Sequence, residues 1–186
     1  MYDEIDHLLF EDECMIRDYQ AIQRTWFEKG KQRIITTTGK HRGVKLLGTL
    51  DYETGKIVWH EDENYTAETF LGFLKEVMVE YPIGKIVIVL DNARIHHAKL
   101  LRPFLDEMKD RLELVFLPPY SPQLNIVEGL WKWLKADIVN NVFYNSVAEI
   151  RKNVKAFMEE IMKRPVDIID RLCIRMECLA EHAQTL

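Results

Sequence analysis

Apolar and polar residues change rhythm several times along this chain, and each change marks an element. His7-Leu8-Leu9-Phe10-Glu11-Asp12 reads as a first strand. Strand alternation puts Leu8, Phe10 and Asp12 on one face and Leu9, Glu11 and Glu13 on the other. Val44 to Asp51 is predicted as a second strand, Asp51-Tyr52-Glu53-Thr54-Gly55 as a hairpin turn, and Lys56 to His60 as a third strand. Thr66-Ala67-Glu68-Thr69 opens a helix. Its apolar residues Phe70, Phe73, Leu74, Val77 and Met78 recur at helical spacing until Pro82-Ile83-Gly84 ends it. Lys85 to Leu90 is an unbroken apolar run, the mark of a strand covered on both faces.

A helix is predicted over His97 to Met108, a fifth strand over Leu112 to Leu117, and a rigid break at Pro118-Pro119-Tyr120-Ser121-Pro122. A long helix follows, with Leu124, Val127, Trp131, Leu134 and Ile138 as its buried stripe. Further helices span Ser146 to Met162 and Val166 to about Ala180. Hairpin-joined strands followed by alternating helices and strands predict a mixed α/β domain. The crossover through the Thr66 helix lets the Lys85 strand lie parallel to the first and beside it. Asp12 and Asp91, both at predicted strand ends, would then be neighbours.

The length of 186 residues suits one domain with a proper core. No apolar run reaches the ~18–20 residues that cross a bilayer, and Met1-Tyr2-Asp3-Glu4 is not the start of a signal peptide, so a cytoplasmic location is expected. Cys14, Cys173 and Cys178 form no C-x-x-C pair and read as reduced thiols, with no zinc site expected. The net charge of -5 argues against a protein that grips nucleic acid with its whole surface. One tract differs: Arg24, Lys29, Lys31, Arg33, Lys40, Arg42 and Lys45 face the single acid Glu28. It is either a phosphate-contacting strip or a solvated hairpin whose lysines guard a sheet edge.

Three acids stand out, each with an ordinary explanation beside the chemical one. Asp12 shares a face with apolar residues, where a charge needs a partner or a metal ion; alternatively the strand stops short and Glu11-Asp12-Glu13 is a solvated turn. Asp91 closes the buried strand, where α/β sheets place ligands, or merely caps the next helix. Glu128 lies on the margin of the buried stripe with Lys132 and Lys135 behind it. It equally fits a capping box with Asn125 and an ordinary helical pair with Lys132. Trp131 reads as core and Trp133 as packing.

The order and setting of these residues go further than any one of them. Phe10-Glu11-Asp12-Glu13, then Val89-Leu90-Asp91-Asn92-Ala93 with His96 a turn later, then Leu117-Pro118-Pro119-Tyr120-Ser121-Pro122-Gln123-Leu124-Asn125 leading to Glu128 and Leu130-Trp131, closely resemble the DDE transposases of the mariner-like superfamily, bacterial insertion-sequence branch. The likeness runs from about Phe10 to near Ile161. The "LPPYSPQLN…E" stretch is its most specific part. The separation of 128 - 91 = 37 positions is close to what that family shows. Where the family commonly has proline two residues before the glutamate, this chain has Ile126.

The resemblance implies a ribonuclease H-like fold with a mixed five-stranded sheet flanked by helices. It implies catalytic and metal-ligating roles for Asp12, Asp91 and Glu128 with two Mg²⁺ (or Mn²⁺) ions, and DNA cleavage at transposon ends followed by strand transfer into target DNA. Phosphate contacts would fall to Lys132, Lys135, Arg24, Lys29, Lys31, Arg33, Arg42 and His96. A core over about 5–162 with helices over 163–183 would form one catalytic domain, nucleoid-associated in a bacterium when on DNA, and acting as a homodimer on double-stranded DNA. Family members carry a helix-turn-helix module ahead of this domain. The motif here begins almost at Met1, so the chain is expected to be a truncated product, an expressed domain or the second half of a split reading frame, the last with a separately encoded helix-turn-helix part as partner. Two other readings use the same residues: a stand-alone ribonuclease H-like nuclease, and a non-catalytic regulator of a longer transposase.

Overall fold

The computed structural model describes residues 5–17, 43–119, 121, 124–140, 142, 144 and 146–172. Arg24, Lys29, Lys31, Arg33 and Arg42, and the predicted helix beyond Leu172, lie outside them. Strand β1 (His7–Arg17) is longer than its apolar run suggests. It does not end at Asp12, because β2 (Gly43–Asp51) pairs antiparallel with it residue by residue from Leu9 to Arg17, carrying the acidic stretch into the middle of the sheet. β3 (Ile57–Asp62) returns beside β2 through the predicted turn. There Asp51 Oδ1 accepts hydrogen bonds from the Glu53 and Thr54 amides at 3.0 and 2.9 Å, and Gly55 adopts φ +67°.

Helix α1 (Ala67–Glu80) starts where Thr66 Oγ1 accepts from the Thr69 amide at 3.2 Å. It buries Phe70, Phe73, Leu74 and Val77, each contributing about 1.5–3 kcal/mol by leaving water. β4 (Ile86–Leu90) then lies parallel to β1, with His7 opposite Ile86 and Phe10 opposite Val89. The predicted helix over His97–Met108 resolves into two 3₁₀ turns, Arg94–His97 and Lys99–Leu101, and a shorter helix α2 (Arg102–Met108). Pro103, in the first turn of α2, suits a helix start and not a helix interior. β5 (Leu112–Phe116) pairs parallel with β4 and completes the sheet order β3-β2-β1-β4-β5.

Helix α3 (Val127–Leu134) continues into a π-helical turn over Lys135–Val139. Helices α4 (Val147–Ile161) and α5 (Pro165–Leu172) follow. Alternation along β1 feeds two cores. Phe10, Cys14 and Ile16 meet α3 and α4, including Trp131, Val154 and Met158. Leu9 packs with the α1 residues and with Ile86 and Ile88 on the other face. Among the described residues no helix is long and apolar enough to cross a membrane.

Candidate active site

The parallel register that sets Phe10 opposite Val89 carries Asp12 and Asp91 to adjoining positions at the carboxyl end of β4. Asp91 leaves the strand as a turn residue: its Oδ1 accepts from the Ala93 amide at 2.8 Å, while Asn92 Nδ2 donates to the Leu117 carbonyl at 2.6 Å. Leu117, in turn, donates its amide to the Leu90 carbonyl at 2.8 Å, so the Pro118-Pro119 segment is tied to the strand tip. Glu128 stands in the first turn of α3.

Asn125 joins the last two elements. Its side chain is buried, donates through Nδ2 to the Glu11 carbonyl at 2.6 Å, and accepts from the Val127 amide at 3.2 Å. It thus fastens the helix start to the strand next to Asp12. Asn125 stands one residue ahead of the Ile126 N-cap, and its side chain accepts from Val127 and not from the Glu128 amide, which bonds the Asn125 carbonyl, so the expected capping box does not form. The Glu128–Lys132 pair forms at 3.1 Å.

One cleft of about 380 Å³ results, lined by Asp12, Asp91 and Glu128 together with Asn92, Asn125 and the Leu117–Pro119 segment. Asp91 is the open side of this acidic floor, with its side chain 55% exposed, whereas Glu128 is 32% exposed. Burial pushes the Asp12 carboxyl from 3.8 to about 7; a hydrogen bond from the Glu13 backbone opposes this, and the charges of Glu13, Glu128 and Asp91 add to it. Like charge crowded around a half-sheltered carboxyl is an arrangement that a bound cation relieves.

Lys132 is well exposed and Lys135 exposed, both on the helix that carries Glu128. Trp131 is core, as predicted. Trp133 packs edge-on to Phe157 at 5.5 Å under the Arg171 guanidinium, 4.4 Å from its ring. His96 is 3% exposed, with its ring 4.4 Å from Phe70 and its Nδ1 3.1 Å from the Asp91 main-chain oxygen, so it lies behind the cleft against Asp91. His97, the exposed neighbour, stacks on Phe116. Reading the sequence for chemistry passed over Glu11 and Glu13. Their signal was the same alternation that isolates Asp12, since a carboxylate on the Leu9 face also enters a core. Glu11 is fully buried, and burial, then the charges of Glu13, Asp12 and Asp91, raises its carboxyl well above the usual range.

Sheet order, flanking helices and the acidic cleft at the strand tips together define the ribonuclease H-like class. The solved catalytic domain of Mos1 mariner transposase shares the fold with TM-score 0.59 at 16% identity, over 94% of this chain and 81% of that one. The Mos1 mariner paired end complex with Mn matches with TM-score 0.67 at 17% identity, over 94% and 55%. The chain belongs to the DDE superfamily endonuclease family, whose model matches residues 7–151. It is 30% identical over 159 residues to the insertion element IS630 uncharacterized 39 kDa protein of Shigella sonnei. That match covers 85% of this chain and 46% of the relative, so the chain spans about half the relative's length.

Proposed function

We propose that this chain is the catalytic part of an insertion-sequence transposase, cleaving DNA at the element's ends and joining them to target DNA, with Asp12, Asp91 and Glu128 as its metal-binding and catalytic carboxylates. The observation that carries the reading is the convergence of these three side chains, from three separated elements, on one cleft. The donor set fits a hard divalent cation, because carboxylates and no thiolates line the opening. Mg²⁺ or Mn²⁺, as a pair, would neutralise charge on the attacked phosphate and lower the pKa of the attacking water or hydroxyl. The likeness to a Mos1 complex containing Mn supports the choice of ion.

The protein's own contribution is rigidity and charge. Asp12 is fixed mid-strand by its pairing with Gly48 of β2, Asp91 by its turn, and Glu128 by the Asn125 tether. Lys132 lies beside Glu128, where its ammonium both balances that carboxylate and faces solvent for a phosphate. Asp12 must release its proton before it ligates, and its elevated pKa puts that release near neutrality. A homodimer on double-stranded DNA completes the proposal.

Asp12→Asn, Asp91→Asn and Glu128→Gln should each lower Mg²⁺-dependent strand cleavage on the order of 10³-fold or more while the protein stays folded. Oligonucleotides carrying the element's ends, with a plasmid target, give the measurement. Full cleavage by any one variant removes that residue from the site, and cleavage without joining would make the chain a nuclease.

A further inference from the structure

Next to the cleft, one segment carries cations with nothing to neutralise. From Asn92 to Leu105 the chain has no acid, and Arg94, Lys99 and Arg102 are all exposed. Together with exposed Lys109 at the end of α2, they have no carboxylate within ion-pair distance among the described residues. Cations elsewhere are paired: Lys56 with Glu80, Lys85 with Glu113, Lys132 with Glu128 and Arg151 with Glu61. In a chain of net charge -5 such an unpaired basic stretch is the exception, and its charge attracts a polyanion.

The same segment borders a groove of about 510 Å³. Leu101, Leu105, Leu112 and Leu114 make its lining apolar, and Arg102 and Lys109 add charge. Phe116, at the end of β5, also lines it and stacks on the exposed His97 ring, with centroids 4.4 Å apart and planes 28° apart. Glu113, the acid among the lining residues, is paired with Lys85 at 3.3 Å, so positive charge prevails. Groove and cleft adjoin along the chain: Ala93 and Leu117 line the cleft, and Arg94 and Phe116 are their neighbours.

Size and lining decide which polyanion fits. The volume is that of a small-ligand pocket, with room for about one or two nucleotides and none for a duplex. Aromatic faces among cations hold unpaired nucleic acid, because bases stack while phosphates meet the charges. An acidic peptide matches the charge but brings no base to stack. We propose that the groove takes an unpaired DNA strand, which leaves the cleft past Arg94 and Lys99 and stacks a base on His97. The inference rests on the reading of the cleft as a DNA-cleaving site, since cleavage is what supplies a strand end there.

The test uses the full chain bearing Asp12→Asn and Glu128→Gln, so that nothing is cut. Fluorescence anisotropy follows a labelled oligothymidylate, and separately a labelled duplex of the same length, over a range of salt concentrations. The strand is expected to bind. Adding Arg102→Gln and Lys109→Gln should weaken it at least about tenfold and reduce its salt slope by about 1.4, at about 0.7 per single-strand phosphate contact, with little change for the duplex. Adding His97→Ala should weaken the strand several-fold with the slope unchanged, because stacking is lost and charge is not. No strand binding, or unchanged affinity without Arg102 and Lys109, overturns the proposal. An equal loss for the duplex also overturns it, by placing these cations on paired DNA. So does competition by polyglutamate as potent as that of unlabelled strand, which would make the groove a peptide site. Arg102 and Lys109 are exposed, so replacing them leaves the core intact. Because the cleft is disarmed throughout, strand binding stands even where the intact chain fails to cut, and cutting without strand binding sinks the groove alone.

Discussion

Asp12 shows how much one side chain's environment can ask of a fold. Its carboxyl titrates near 7 in the folded chain against 3.8 for an ordinary aspartate, so between those values the native state binds more proton than the unfolded one. Stability contributed by this group is therefore present at low pH, falls as pH rises from about 4 to about 7, and is level above. Asp12→Asn removes the penalty. Without divalent ions, the variant's advantage over wild type should grow across that window to at most about 4 kcal/mol and then stop growing. Denaturant melts at a series of pH values measure it, and parallel curves for the two proteins would mean that Asp12 is not perturbed. Added Mg²⁺ should stabilise wild type more above pH 7 than below it, and should do so far less for Asp12→Asn.

Strand β1 and helix α3 supply Asp12 and Glu128 to the cleft, and their contact is close. Gly48 sits opposite Asp12 in the β1–β2 ladder, and a Cβ there would stand 2.7 Å from Trp131 Cη2 and 2.8 Å from Cζ2. Trp131 is 3% exposed and has little room to move, so Gly48→Ala should cost about 1–3 kcal/mol in denaturant unfolding. An unchanged midpoint would show that the indole shifts freely. Asn125→Ala is expected to cost about 1–3 kcal/mol by leaving the Glu11 carbonyl unpaired. It should also weaken Mn²⁺ binding in the cleft, because the helix start that holds Glu128 loses its tie to the strand. Loss of stability with metal affinity intact would reduce Asn125 to a cap. Neither contact was legible beforehand. Helical spacing identified Trp131 as core and proposed Asn125 as a cap, but pairing across 114 positions is set by register, which one sequence does not display.

For the whole molecule, alternation and apolar runs were enough to foresee five strands, the crossover, the parallel β1–β4 pair and the approach of Asp12 to Asp91. They misplaced boundaries where a neighbour decides the matter: β1 runs on to Arg17 because β2 pairs with it, and the turns around His96 fold in as 3₁₀ because Phe70 offers its ring a buried seat. Charge is the property that most needs the assembled molecule. A net charge of -5 gives DNA no general attraction, so the proposed binding rests on local cations near an acidic cleft. Lys132 and Lys135 are the described lysines on the helix that bears Glu128, one turn apart on its exposed side. Each phosphate contact releases bound counterions, so Lys135→Gln should lower DNA affinity about equally for every sequence and reduce the slope of log affinity against log salt by about 1. Lys132→Gln should do the same while also freeing Glu128, and comparing the two separates charge from metal effects. Fluorescence anisotropy over a range of salt concentrations measures both slopes, and a slope unchanged in Lys135→Gln would take that side chain off the DNA.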